Sequence, residues 1–99
     1  MAQRVARRAR ADLDDIWYYV ANESGSIEIA NRLIDSITSR FFLLAVHPHL
    51  GRSRDDDFGP GSRSFPVGEY VIVYGVENED VLILRVAHGS RDIEALFGR

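Results

Sequence analysis

The sequence predicts a single α+β domain over residues 1–99, with element order β-α-α-β-β-β and a helical hairpin packed on a mostly antiparallel sheet. Three observations predict it. The first half carries two amphipathic stretches separated by a Gly25–Ser26 break. The second half carries three runs rich in Val, Ile and Tyr. Between them, at "HPHLGRSRDDDFGPGS", periodicity gives way to Gly, Pro and Asp.

The first element, "QRVARRA", is a short strand by alternation, with Arg4, Ala6 and Arg8 on one face and Val5 and Arg7 on the other. In "ARADLDDIWYYVANESG", Ala9, Leu13, Ile16, Trp17 and Val20 fall on one stripe at helical spacing. Asp12, Asp14 and Asp15 lie off that stripe in the first half of the helix, where negative charge favours the macrodipole. Gly25 stops this helix, and Ser26 caps a second, "SIEIANRLIDSITSRFFLLAVHP", which must end near Pro48. Its inward stripe is Ala30, Leu33, Ile34, Ile37, Phe41 and Leu44. The short connection makes the two helices an antiparallel hairpin. Ile29, Phe42 and Leu43 on the second helix, and Tyr18 and Tyr19 on the first, lie outside the stripes. They are either single exposed apolar residues or one contiguous partner-binding patch.

The three strands are "RSFPV", "EYVIVYGV" and "VLILRVAH". The middle one is apolar on both alternating faces, which predicts a central strand covered on both sides. Pro66 places its strand at an edge or a bulge. In the last strand, simple alternation sets Leu82, Leu84, Val86 and His88 on the core face and Val81, Ile83 and Arg85 on the other.

Composition bounds the function. There is no cysteine, which excludes thiolate chemistry and fits a reducing cytoplasm. No secretory pattern follows Met1, and no apolar run reaches the length of a membrane span, so no membrane association is expected. The net charge is −3 although all twelve basic residues are arginine. Proteins that grip nucleic acid through phosphates carry a basic excess, so direct nucleic-acid binding is not expected. Local arginine clusters at Arg4, Arg7, Arg8 and Arg10, and at Arg52, Arg54 and Arg63, are nonetheless present.

Few residues bear chemistry. His47 and His49 flank Pro48 with no third ligand at a fixed offset, so no metal is expected, and no cofactor motif is present. Asp55, Asp56 and Asp57 read as a solvated loop, and Ser90 lacks a nucleophile elbow. His88 ends the last strand within "RVAHGSRD", where Gly89 frees the backbone. It has two readings. It is an acid or base for RNA cleavage, with Arg63, Arg85 or Arg91 on the phosphate. Alternatively it bonds a loop carbonyl, while Arg91 pairs with an acid and Asp92 caps a short final helix.

"ARADLDDIWYYVA", "HPHLGRSR", "R.F....YVIVYGV" and "VLILRVAHGSRD", in this order and spacing, resemble the ParE branch of the RelE/ParE toxin superfamily over nearly the whole chain. The resemblance implies a toxin of a type II toxin–antitoxin module, neutralised by a ParD-like antitoxin whose apolar helix docks on the helical hairpin. Within that superfamily, RelE-like members are ribosome-dependent messenger-RNA endonucleases and ParE-like members inhibit DNA gyrase. The net acidity, and Leu96 and Phe97 where many nucleases place tyrosine or histidine, favour the gyrase branch. Target contact is then expected at Arg63, His88, Arg91 and the segment from Phe97 to Arg99. Antitoxin contact is expected at Trp17, Tyr18, Phe42, Leu43 and the edge around Phe65. The runner-up is the endonuclease, with His88 as acid or base and Arg63 and Arg91 on the phosphate. A third reading is a degenerate toxin that only binds its antitoxin.

Overall fold

A computed structural model describes residues 3–78 and 80–89. The elements are β1 (Gln3–Val5), α1 (Arg7–Ser24), α2 (Ile27–Val46), β2 (Arg52–Ser53), α3 (Asp55–Phe58), β3 (Ser62–Val67), β4 (Tyr70–Glu77) and β5 (Asp80–His88). The sheet order is β1-β5-β4-β3-β2; only β1 and β5 are parallel. This is the expected α+β arrangement, with two additions. The segment read as an irregular loop contains the two-residue β2 and the one-turn α3. Neither is long enough to leave a periodic pattern in the sequence.

The helical hairpin follows its punctuation. The Ser26 side chain accepts the Ile29 N–H at 3.2 Å and so caps α2. The N–H of Gly25 bonds Ala21 O and closes α1. Trp17 Nε1 donates to Asn31 Oδ1 at 2.7 Å and fixes the two helices side by side. One face of the sheet takes up the hairpin: Ala9, Ile37, Phe41 and Leu44 pack on Val67, Ile72, Tyr74, Val81, Ile83 and Val86. β4 lies third of five strands, and Ile72, Val73 and Tyr74 are all fully buried, as two-sided apolarity predicts. Pro66 sits on β3 beyond the reach of β2, which pairs only with Arg63 and Ser64.

Three local expectations are corrected. The first strand stops at Val5 rather than running to Ala9: Ala6 N–H makes the last bond to Ile83 O, and Ala6 O already accepts the Arg10 N–H of α1. The helix therefore opens on Arg7, Arg8 and Arg10, with no acidic residue in its first turn. Asp12, Asp14 and Asp15 lie too far in to complement the dipole, whose effect fades within one turn. In β5, the pairing steps from Val73 with Arg85 to Tyr74 with Ile83, which leaves Leu84 as an extra residue. This bulge reverses the alternation. Val81 and Ile83 face the core with Val86, and Leu84 does not join them.

Candidate functional site

The bulge positions one charged pair. β1 covers the edge of β5 only as far as Ile83. Just beyond, Asp12 of α1 acts in place of a strand and accepts the Val86 N–H at 2.9 Å. The same carboxylate takes two hydrogen bonds from Arg85, Nε to Oδ2 at 2.8 Å and Nη2 to Oδ1 at 2.9 Å. These bonds to Asp12 push the Arg85 guanidinium above its ordinary range, against the opposing effect of burial. Arg85 is therefore committed to the fold. The suggestion that it serves a phosphate is corrected by this pair.

His88 stands at the end of β5, half-buried, opposite Tyr70. Their rings meet edge to face at a centroid distance of 5.5 Å. Its Nε2 is 3.9 Å from Glu69 Oε1, close enough for Coulomb attraction when protonated but beyond hydrogen-bond reach. Gly89 serves this corner by close approach rather than by a left-handed turn. A Cβ there would stand 3.0 Å from Val71 Cγ2, while the Gly89 N–H bonds Glu69 O at 2.8 Å.

A second constellation lies at the loop after α2. Tyr74, fully buried, donates its hydroxyl to Pro48 O and accepts the Gly51 N–H, both at 2.8 Å. Burial pushes its phenol pKa up, partly offset by the Gly51 N–H and the Arg63 charge. Arg63 Nη1 donates to Gly51 O at 2.6 Å and His49 O at 3.2 Å. The "P..GR" signal thus has a cause. Gly51 must be glycine because a Cβ would meet Tyr74 Oη at 2.5 Å and Ser64 O at 2.7 Å.

Of the candidate target residues, the two that are described, Arg63 and His88, lie apart. Arg63 pairs with Tyr74 across the sheet, and His88 with Tyr70. They are two strands apart laterally and four residues apart along the strand. At standard sheet spacings their backbones lie about 16 Å from each other. Arg91, Phe97 and Arg99, with Ser90, Asp92 and Leu96, lie outside the described residues. His47 and His49 are exposed at the end of α2, and no group of His and acidic side chains among the described residues is arranged to hold a metal.

Of the residues expected at an antitoxin interface, Tyr18 and Phe42 are two-thirds exposed, and Leu43 is also exposed. Trp17 is half-buried, hydrogen-bonded to Asn31 and in edge contact with Tyr18. Phe65 is half-buried against the core. They are spread along the hairpin and the sheet. Trp17 and Tyr18 sit at the level of Asn31, and Phe42 follows eleven residues later on α2, about 16 Å along the axis. Val46 and Leu50, both exposed, extend the Phe42 end. The sequence carried part of this signal as the four-residue spacing of 42 and 46 within α2.

A family model, the ParE toxin of the type II toxin–antitoxin system parDE, matches residues 4–93. Toxin ParE3 of Caulobacter vibrioides is 34% identical over 94% of this chain and 91% of its own. Toxin ParE1 of the same organism is 36% identical over 96% of both chains. Toxin RelE3, again from that organism, is 37% identical over 82% of this chain and 86% of its own. Among solved structures, the chromosomal ParDE toxin–antitoxin system from P. aeruginosa matches with a TM-score of 0.77 at 24% identity. It covers 89% of this chain and 95% of that one, and supports the fold. The RelBE2 complex from Mycobacterium tuberculosis matches with a TM-score of 0.63 at 25% identity, over 88% and 95%. With a sheet, hairpin and bulge built on the very blocks that the family model spans, this chain belongs to the ParE toxin family of type II toxin–antitoxin systems.

Proposed function

We propose that the chain inhibits DNA gyrase as a binding inhibitor and is held inactive by a ParD-like antitoxin that covers its helical hairpin. The observation that carries this reading is that, among the described residues, the candidate cations Arg63 and Arg85 are each engaged away from His88. A phosphoryl-transfer site needs positive groups converging on the reacting phosphate, alongside its acid and base. Here Arg85 is spent on Asp12, and Arg63 holds two loop carbonyls on the far side of β4. Among the described residues, the carboxylate of Glu69 stands 3.9 Å from His88 Nε2, a poor companion for a phosphate. The net charge of −3 supports the same reading. So do the exposed aromatic residues Tyr18 and Phe42, which suit the apolar face of a partner helix.

Gyrase supercoiling with purified toxin at rising concentration tests the proposal. Inhibition that is reversed by antitoxin is the expected result, and unaffected supercoiling at saturating toxin rejects it. The kinship to Toxin RelE3 carries one second reading, ribosome-dependent cleavage of messenger RNA. Cleavage in a translation extract that disappears in His88→Ala would establish that reading in place of the first.

A further inference from the structure

Strand addition along β3 past the end of β2 meets an obstacle at Pro66. Arg54 N–H bonds Ser62 O, so the backbone of β3 points outward at Ser62, Ser64 and then Pro66. Ser64 is already opposite Arg52. Pro66 offers a carbonyl and no N–H, so an incoming strand would find no donor there. Against this edge lies a cleft of about 420 Å³, lined by Leu50, Arg52, Arg54, Phe65, Pro66 and Val71 among others.

Its chemistry is mixed in a particular way. Leu50, Phe65, Pro66 and Val71 form apolar walls, and the two charged side chains lining the cleft are both arginines. Arg52 is exposed and makes no side-chain hydrogen bond or ion pair among the described residues. Arg54 stacks on Phe58 at 5.0 Å, and its Nε is ion-paired with Asp57 Oδ2 at 3.4 Å without a hydrogen bond. An uncommitted guanidinium beside apolar walls, on a chain that is acidic overall, fits a carboxylate next to an apolar side chain.

We propose that this cleft recognises an acidic side chain, and the apolar residue adjoining it, on an extended segment of the antitoxin. The carboxylate pairs with Arg52, while the apolar side chain packs between Leu50 and Phe65. Recognition there is by side chains and not by backbone pairing, because Pro66 denies the ladder. The inference rests on the reading that an antitoxin is the partner, and adds where and by which chemistry its extended part is held.

The test uses a full-length ParD-like antitoxin that binds the parent toxin, with toxin variants R52E and R52Q, and titration calorimetry at low and high salt. Arg52 is exposed, so both variants should melt like the parent. R52E should weaken binding about ten- to a hundredfold at low salt, and R52Q less. The loss should shrink at about 1 M salt, where screening is strong. One Asp→Arg or Glu→Arg change in the antitoxin should restore binding to R52E. R52E binding within about twofold of the parent at low salt overturns the inference while leaving the antitoxin reading intact. Failure of every ParD-like antitoxin to bind the parent toxin rejects both.

Discussion

Asp12 and Arg85, one on the first helix and one on the last strand, are joined by two hydrogen bonds of 2.8 and 2.9 Å. The Val86 amide shares the same carboxylate. Both side chains are more than four-fifths buried. Asp12→Ala would strand a buried cation and a strand N–H together, so it should cost about 3 kcal/mol. Asp12→Asn keeps an acceptor and should cost less. Chemical denaturation of the two single mutants and of the double mutant with Arg85→Ala measures the coupling. A loss below about 0.5 kcal/mol for Asp12→Ala would class the pair with ordinary surface ion pairs and sink this account.

Gly51→Ala should be among the most disruptive single-methyl changes in the chain, because Tyr74 Oη and Ser64 O leave no room for a Cβ. A cost of about 2 kcal/mol or more is expected, in the range of core overpacking. Tyr74→Phe in the same chain should recover only part of it, since the Ser64 carbonyl and the ring carbon at 2.8 Å remain. Thermal melts of the single and double variants decide the matter. Full recovery would mean that the hydroxyl alone sets the constraint.

The raised pKa of Tyr74 makes a prediction about alkaline stability. Its ordinary value is 10.0, and burial favours the neutral phenol in the folded state. Above that pH the unfolded chain releases the proton first, so the unfolded state binds fewer protons than the folded one. Stability then falls as pH rises from the unfolded pKa towards the folded one. The contribution is fully present below pH 10 and absent above the folded value. Denaturation profiles should therefore fall more steeply above pH 10 for the parent than for Tyr74→Phe. Parallel profiles would remove Tyr74 as the cause.

Phe42→Asp and Tyr18→Asp separate binding from folding. Both side chains are mostly exposed, so each change should leave stability within about 0.5 kcal/mol. Each should weaken antitoxin binding about tenfold or more if its end of the hairpin is covered by the partner. The two patches stand apart, so the two losses should add. Binding as tight as the parent's by both variants would remove the hairpin from the interface.

The sequence was legible where one physical rule dominated. Ser26, Gly25 and Pro66 each act through a single backbone property, and each does what its chemistry predicts. The stripe Ala30, Ile37, Phe41 and Leu44 is buried because helical periodicity survives intact along α2. Legibility failed where a tertiary partner overrode local pattern. Asp12 looked like a dipole partner, but its partner is Arg85, 73 residues away. The alternation of β5 was misread because the bulge at Leu84 has no signature of its own. Arg63 looked like a cation for a ligand, and only the fold reveals the carbonyls of His49 and Gly51 that hold it. His88 stands out in the sequence by its position, but its Tyr70 and Glu69 neighbours come from a strand pairing that no spacing encodes.

The parallel pairing of β1 with β5 sets the order in which the chain can fold during synthesis. Gln3 is opposite Val81, so that pair closes a loop of nearly eighty residues, among the costliest contacts in chain entropy. Asp12 likewise waits for Arg85. Until β5 has emerged from the ribosome, β1 has no neighbour and α1 lacks its charged anchor. The finished sheet, and any surface that depends on it, is completed only once β5 is available to pair.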